Sequence, residues 1–227
     1  MTNTLQIQQN WLKNPSSLPC NLPQWSLIVI EGPDAASFLQ NQLTNSVLGL
    51  GRILPGSIAQ GYNNVRLVGY CNPKGRLIAS AWIGLFPLST ESEERYALFI
   101  SKDIAASIAK RLSMYVLRSK VKIADLSADW CVTGFYGSEE QVTDFEFDPN
   151  CIALRLPDVL ANNQTIARLL IAGLRSNPLN TENSSDALTA WNALEVLSAI
   201  PRIVQATQEQ FVPQMINFES VAGVDFK

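Results

Sequence analysis

The sequence predicts an α+β fold of mostly antiparallel sheets with packed helices, and three observations carry that reading. Short apolar runs bounded by turn residues recur along the chain, as in WSLIVIE at 25–31 and RYALFIS at 95–101. Between them stand stretches whose apolar residues repeat at helical spacing, in hairpin-and-helix mixtures that favour antiparallel pairing. The composition, 47% apolar and 16% charged over 227 residues, is that of an ordered chain long enough to bury a sizeable core.

Each element has its own justification. Trp25 to Glu31 reads as a buried strand, and Gly32-Pro33-Asp34 then opens a helix to about Leu43, with Phe38, Leu39 and Leu43 on one face. From Asn64 to Phe86 two strands meet at the turn Asn72-Pro73-Lys74-Gly75. Arg95 to Ser101 forms a further strand, followed by a helix over 102–116 with Ile104, Ile108, Leu112 and Tyr115 in register, then a strand-like run at 120–125. WCVTGFYG, CIALRL and IARLLIAG read as three more strands, and a helix over 185–199 carries Leu188, Trp191, Leu194 and Leu197 until Pro201 ends it. Loops are expected at 91–95 and 176–186, neither long enough to separate independent domains. The chain is expected to form one body over 1–227, which, if it divides, does so into two intertwined subdomains, about 1–50 with 126–227 and 51–125.

Composition also excludes chemistry. Histidine is absent, which removes Ser-His-Asp and Cys-His pairs and imidazole metal ligands. Cys20, Cys71, Cys131 and Cys151 show no CxxC spacing, so isolated reduced thiols are expected, with neither a disulfide frame nor a metal site. The net charge of -3 argues against direct nucleic-acid binding, and Lys110, Arg111, Arg118, Lys120 and Lys122 read as a solvated rim. No secretory address is legible in 1–17 and no apolar run is of membrane-spanning length, so a cytoplasmic protein without a membrane partner is expected.

Two stretches carry a resemblance: WSLIVIEGPDAASFLQNQLTN with the later YCNPKGRL, and WNALEVLSAIPRIVQATQEQFVPQMINFESVAGVDFK. In order, spacing and wording they resemble the YgfZ-type folate-binding proteins of the glycine-cleavage T-protein (GcvT-like) superfamily. The resemblance implies a GcvT/YgfZ-like folate-binding fold. It also implies a ligand, tetrahydrofolate or a one-carbon derivative, and partners that are iron-sulfur client proteins or assembly factors, with an indirect link to a tRNA-modifying enzyme. The family signature KGCYxGQE would follow Lys227, so the signature and the C-terminal β-barrel beyond it are expected to be absent here.

The resemblance implies that Trp25 and Trp191 contact folate, as a flat pterin stacks well on indole, while ordinary core packing is the alternative. Lys74 and Arg76 either hold the glutamate tail of folate or are exposed turn cations. Gln42, Thr44 and Asn45 either bond the polar edge of a pterin or cap the first helix. Phe211, Pro213, Gln214 and Asn217 lie in the most family-specific stretch, suited to ligand orientation, to docking of the signature loop, or to a plain crossing loop; Asp225 reads as a solvated acid. The acids expected for aminomethyl transfer have no counterpart: Gly75 to Ser80 reads GRLIAS where the T-protein pattern resembles GGVIDD, and IARLLIAGLRS lacks the TGYTGE segment. No catalytic residue is assigned. Folate-dependent aminomethyl transfer and a non-catalytic interaction module remain as alternatives to an accessory role.

Overall fold

The computed structural model describes residues 19–87, 94–161, 163–181 and 185–225. Parts of both expected loops, and the N-terminal run 1–17, lie outside these residues.

Two five-stranded sheets pack face to face. One has the order β1 (Cys20–Asn21), β8 (Trp130–Gly137), β10 (Gln164–Leu174), β9 (Ile152–Ala161) and β3 (Ile58–Ala59). The other runs β4 (Arg66–Cys71), β5 (Leu77–Leu85), β6 (Arg95–Ser101), β2 (Trp25–Glu31) and β7 (Lys122–Asp125). All these pairings are antiparallel except β3 with β9. The α+β expectation therefore holds. Sheet membership does not follow the 1–50 with 126–227 division: β2 pairs with β6 and β7, and β3 crosses to the β8 sheet.

The apolar runs of the central strands follow from burial on both faces. In β2, Leu27 and Val29 enter the core between the sheets, while Ile28 and Ile30 face the layer formed by α1 (Ala35–Gln40) and α2 (Lys102–Met114). A smaller cluster around Phe135, Val142 and Leu169 lies beneath α3 (Glu139–Thr143) on the outer side of the β8 sheet. The last helix, α4 (Ser185–Leu197), packs against β1 and β9 and sends Trp191 and Leu194 into the intersheet core.

Two bulges set the geometry of the site. Pairing slips between Tyr70–Ala79 and Cys71–Leu77, so Ile78 is the extra residue, and Leu77 and Trp82 both reach the intersheet core despite their odd spacing. On β9, Pro157 and Asp158 together stand opposite the single residue Ala167, one residue more than the ladder needs. Proline lacks the N–H a ladder needs, so a bulge is where a strand tolerates it. That bulge carries the strand past Leu156, the end of the CIALRL run, to Ala161. The hairpin turn forms as read: the Asn72 side chain accepts from the N–H groups of Lys74 and Arg76, and Gly75 takes φ +74°.

Candidate functional site: a cleft between the two sheets

Between β4 and β5 on one side and β9 on the other lies a cleft with two chambers. The inner one, about 40 Å³, is lined in part by Trp25, Ser80, Arg168, Glu195, Ser198 and Arg202. The outer one, about 620 Å³, is lined in part by Tyr62, Arg66, Glu139, Arg155, Asp158 and Ala222. Leu67, Trp82 and Leu156 border both, so the chambers are neighbours across one apolar collar.

Glu195 organises the inner end. Its Oε1 accepts from Trp25 Nε1 at 2.8 Å and from Trp191 Nε1 at 2.9 Å, and its Oε2 lies 3.6 Å from an Arg202 terminal nitrogen. The local cause is helical spacing: Trp191 and Glu195 stand four apart on α4 and so share a face. Trp191 can pack that close because Gly134 on β8 has no side chain; a Cβ there would lie 2.5 Å from the indole ring. Arg202 arrives through a sharp turn in which Ala199 takes φ +54°, a left-handed conformation unusual for a residue with a Cβ. Its guanidinium then lies over the Trp25 ring, 5.2 Å from the centroid.

Arg168 enters from β10. It is 1% exposed, and its terminal nitrogens donate to the carbonyls of Leu194, at 3.4 Å, and Pro157, at 3.0 Å. The β9 bulge thus supplies one of its acceptors. Burial pulls its guanidinium down to about 10, with Glu195 and Asp158 acting in the opposite direction, and it stays charged at neutral pH.

The outer chamber carries both signs of charge. Arg155 donates to Glu139, at 3.3 and 2.6 Å, and to Asp158, at 2.6 Å, and its guanidinium holds the Glu139 carboxyl below the usual carboxylate range. Arg66 stacks over Tyr62 at 4.6 Å and donates to the carbonyls of Tyr62, Ser46 and Leu48.

The residues singled out from sequence scatter over three places. Trp25 lines the inner chamber, whereas Trp191 is fully buried and presents its N–H to Glu195 with no ring face open, unlike the stacking expected of it. Asn45 is 2% exposed and spent: its amide donates to the carbonyls of Leu67 and Ala222 and its oxygen accepts from Tyr62. Thr44 donates to the Gly223 carbonyl at 2.6 Å and accepts from the Gly69 N–H, and its own carbonyl receives the N–H of Asp225. Neither residue caps α1, whose C-cap is Asn41; both tie residues 204–225, a C-terminal strap, to β4. Half-buried Gln42 lines neither chamber.

Lys74 and Arg76 flank the hairpin tip, and Arg76 donates to the carbonyls of Glu209 and Gln210. Four residue steps into β5, roughly 13 Å, separate Arg76 from Ser80 in the inner chamber. Gln214 and Asn217 are exposed on the strap, with Asn217 left-handed at φ 52° as the C-cap of a short 3₁₀ turn at Pro213–Ile216. Sequence reasoning passed over Glu195, Arg202, Arg168 and Trp82. Two signals were available: the Trp191–Glu195 spacing, and an arginine inside the otherwise apolar run ARLLIA.

No family model matches the chain. A tRNA-modifying protein YgfZ of Photobacterium profundum is 28% identical over 242 aligned residues, covering 99% of this chain and 67% of that protein. A second, from Cronobacter sakazakii, is 25% identical and covers 91% of this chain. The chain is similar to YgfZ proteins over nearly its whole length. An iron-sulfur cluster assembly factor IBA57 homolog, mitochondrial, of Mycosarcoma maydis is 28% identical over 53% of this chain and 29% of its own length. The aminomethyltransferase T structure from Bartonella henselae aligns with 67% of this chain at 13% identity and a TM-score of 0.48. The chain spans 62% of the Cronobacter protein and 60% of a Haemophilus influenzae relative that is 28% identical. No helix among the described residues is long and apolar enough to cross a membrane.

Proposed function

We propose that the cleft binds a reduced folate, tetrahydrofolate or a one-carbon derivative, and that the chain is the folate-binding part of a cytoplasmic accessory protein for iron-sulfur enzymes, one of them tRNA-modifying. The observation that carries this reading is the juxtaposition of an outer chamber of about 620 Å³ with a tryptophan-lined end where Glu195 and Arg202 meet. A pterin needs an aromatic or apolar wall for its flat face and both acceptors and donors at its edge. The collar of Leu67, Trp82 and Leu156 supplies the wall, and the Glu195 carboxylate and Arg202 guanidinium supply the edge. The inner chamber, about 40 Å³, is too small for the bicyclic ring, so the ring belongs in the outer chamber with its polar edge turned inward. Bound there, the folate would bring a one-carbon unit or the capacity to accept one. The names of the relatives, a tRNA-modifying protein and an iron-sulfur cluster assembly factor, supply the partner class.

Aminomethyl transfer gains no support from the residues at the inner end. Ser80 stands where a strand acid was sought, and its hydroxyl is engaged with the Ile200–Ile203 segment. The Glu195 carboxylate faces N–H donors at both oxygens, which suits a fixed acceptor more than a proton carrier. Calorimetric titration with tetrahydrofolate tests the proposal. Binding is expected, weakened about tenfold by Trp82→Ala, the size of effect that follows from losing one aromatic contact of about 1.4 kcal/mol. Absence of heat, or an unchanged affinity in the variant, would remove the cleft from consideration.

A further inference from the structure

We propose that the groove between α2 and the C-terminal strap is a docking site for an acidic segment of a partner protein, one that carries an apolar side chain among its carboxylates. The groove has a volume of about 450 Å³ and is lined in part by Ile78, Ser107, Lys110, Arg111, Met114 and Glu209. It shares no lining residue with either chamber of the cleft. Ile104, Ile108 and Leu112 bury one stripe of α2 in the layer that covers the β4 sheet. Ser107, Lys110, Arg111 and Met114, three or four apart, therefore form a neighbouring stripe, and that stripe is one wall of the groove. The strap is the other wall: the Glu209 N–H donates to the Leu77 carbonyl, and Gln208 Nε2 donates to the carbonyl of Ile78, the extra residue of the β5 bulge.

Charge and exposure say what fits. The chain has a net charge of -3, yet residues 102–122 hold six of its 17 Lys and Arg and, in Asp103, one of its 20 acids. Among the described residues Lys110, Arg111, Arg118 and Lys120 enter no ion pair. Apolar side chains stand out of the same stretch: Met114 is 61% exposed and Leu117 is 89% exposed. Leu117 is held outward by a left-handed backbone, φ 44°, a conformation unfavourable for a bulky residue and one that points to a use for the surface it presents. Cations without a carboxylate partner attract one, and an exposed, adaptable Met114 at the edge of a groove receives an apolar side chain. Glu209 stands on the strap wall, so the partner's carboxylates lie along α2. RNA fits less well, because bases stack on exposed aromatic faces and this stretch offers Tyr115 alone. A membrane surface would need a broad apolar helix face, whereas α2 keeps Ile104, Ile108 and Leu112 buried.

Fluorescence anisotropy with two labelled peptides, EEDLFDEE and its apolar-free version EEDSSDEE, tests the proposal, with tRNA and phosphatidylserine vesicles measured beside them. EEDLFDEE is expected to bind saturably and at least tenfold more tightly than EEDSSDEE. Its affinity should fall about tenfold in K110E and in M114S; both positions are exposed, and thermal midpoints equal to the wild type show that the fold is kept. Reversing Lys102 at the start of α2, about 12 Å along the helix from Lys110, should change the affinity less than threefold. Equal binding of the two peptides would mean undirected charge attraction and overturn the proposal, as would no binding of EEDLFDEE or undiminished binding in both groove variants. Binding of tRNA or vesicles that is lost in K110E, with no peptide binding, would give the face to that other class and overturn it too. Saturating tetrahydrofolate should leave the peptide affinity unchanged; competition between them would put the peptide in the cleft and refute the groove.

Discussion

Two buried polar regions of this molecule look alike in sequence and differ in what they have left to give. At the C-terminal strap, Thr44 and Asn45 exchange hydrogen bonds with Gly69, Leu67, Tyr62, Ala222 and Gly223 until the capacity of Asn45 is used. At the inner end of the cleft, Glu195 Oε2 meets Arg202 only at 3.6 Å, and both side chains line a chamber. A polar side chain that is satisfied internally holds the fold together, whereas one with capacity left over beside a cavity is available to a ligand. By that criterion the strap is scaffold and the inner end is site.

The largest expected effect lies in the strap. Asn45→Ala removes one partner each from the buried Leu67 carbonyl, the part-buried Ala222 carbonyl and the Tyr62 hydroxyl, and should lower stability by about 3 kcal/mol in denaturant unfolding. Folate affinity measured below the new midpoint should not change; a parallel loss of affinity would erase the distinction between the regions. Next comes Arg202→Met, with the opposite profile. Tetrahydrofolate should bind about tenfold more weakly while stability stays within about 1 kcal/mol, because its bonds to Ser101 and Glu195 are long and partly exposed.

Ala199→Gly sharpens the comparison from the backbone side. The left-handed turn that delivers Arg202 costs an L-residue roughly 1–2 kcal/mol, so glycine should raise stability by up to about 1 kcal/mol after its larger unfolded-state entropy is counted. A loss of stability would mean that the alanine methyl packs usefully. The smallest effect concerns Cys151, a buried thiol belonging to neither region. Burial pushes it up to about 11 from the ordinary 9.0, so the neutral thiol is the favoured form in the fold. The corresponding stability is complete below pH 9 and declines as pH rises toward 11, and alkylation of Cys151 should be negligible at pH 8 in mass spectrometry.

Much of this architecture was legible because burial leaves a periodic record. β2, β6 and the hairpin β4–β5 announce themselves as apolar runs with turn residues between them, and α2 by its spacing. β1 and β3, two residues each, are too short to have a period. The extent of β9 was hidden by Pro157, since a bulge interrupts alternation without ending the strand. The site was half legible. Trp25 was singled out by the resemblance, but its partners Glu195 and Arg202 are 170 and 177 residues away along the chain, and nothing local marks them as convergent. The resemblance singled out Trp191 as a folate contact or a core residue; in the fold its N–H is bonded to Glu195 and its ring packs against Gly134.

The most direct measurement is tryptophan fluorescence during tetrahydrofolate titration of the wild-type chain, Trp25→Phe and Trp191→Phe. The account predicts saturable quenching in the wild type. Trp25→Phe should lose most of the amplitude, and Trp191→Phe should retain it once its lower stability is allowed for. Quenching that survives Trp25→Phe intact, or that disappears only in Trp191→Phe, would contradict a site built at the Trp25 end of the cleft.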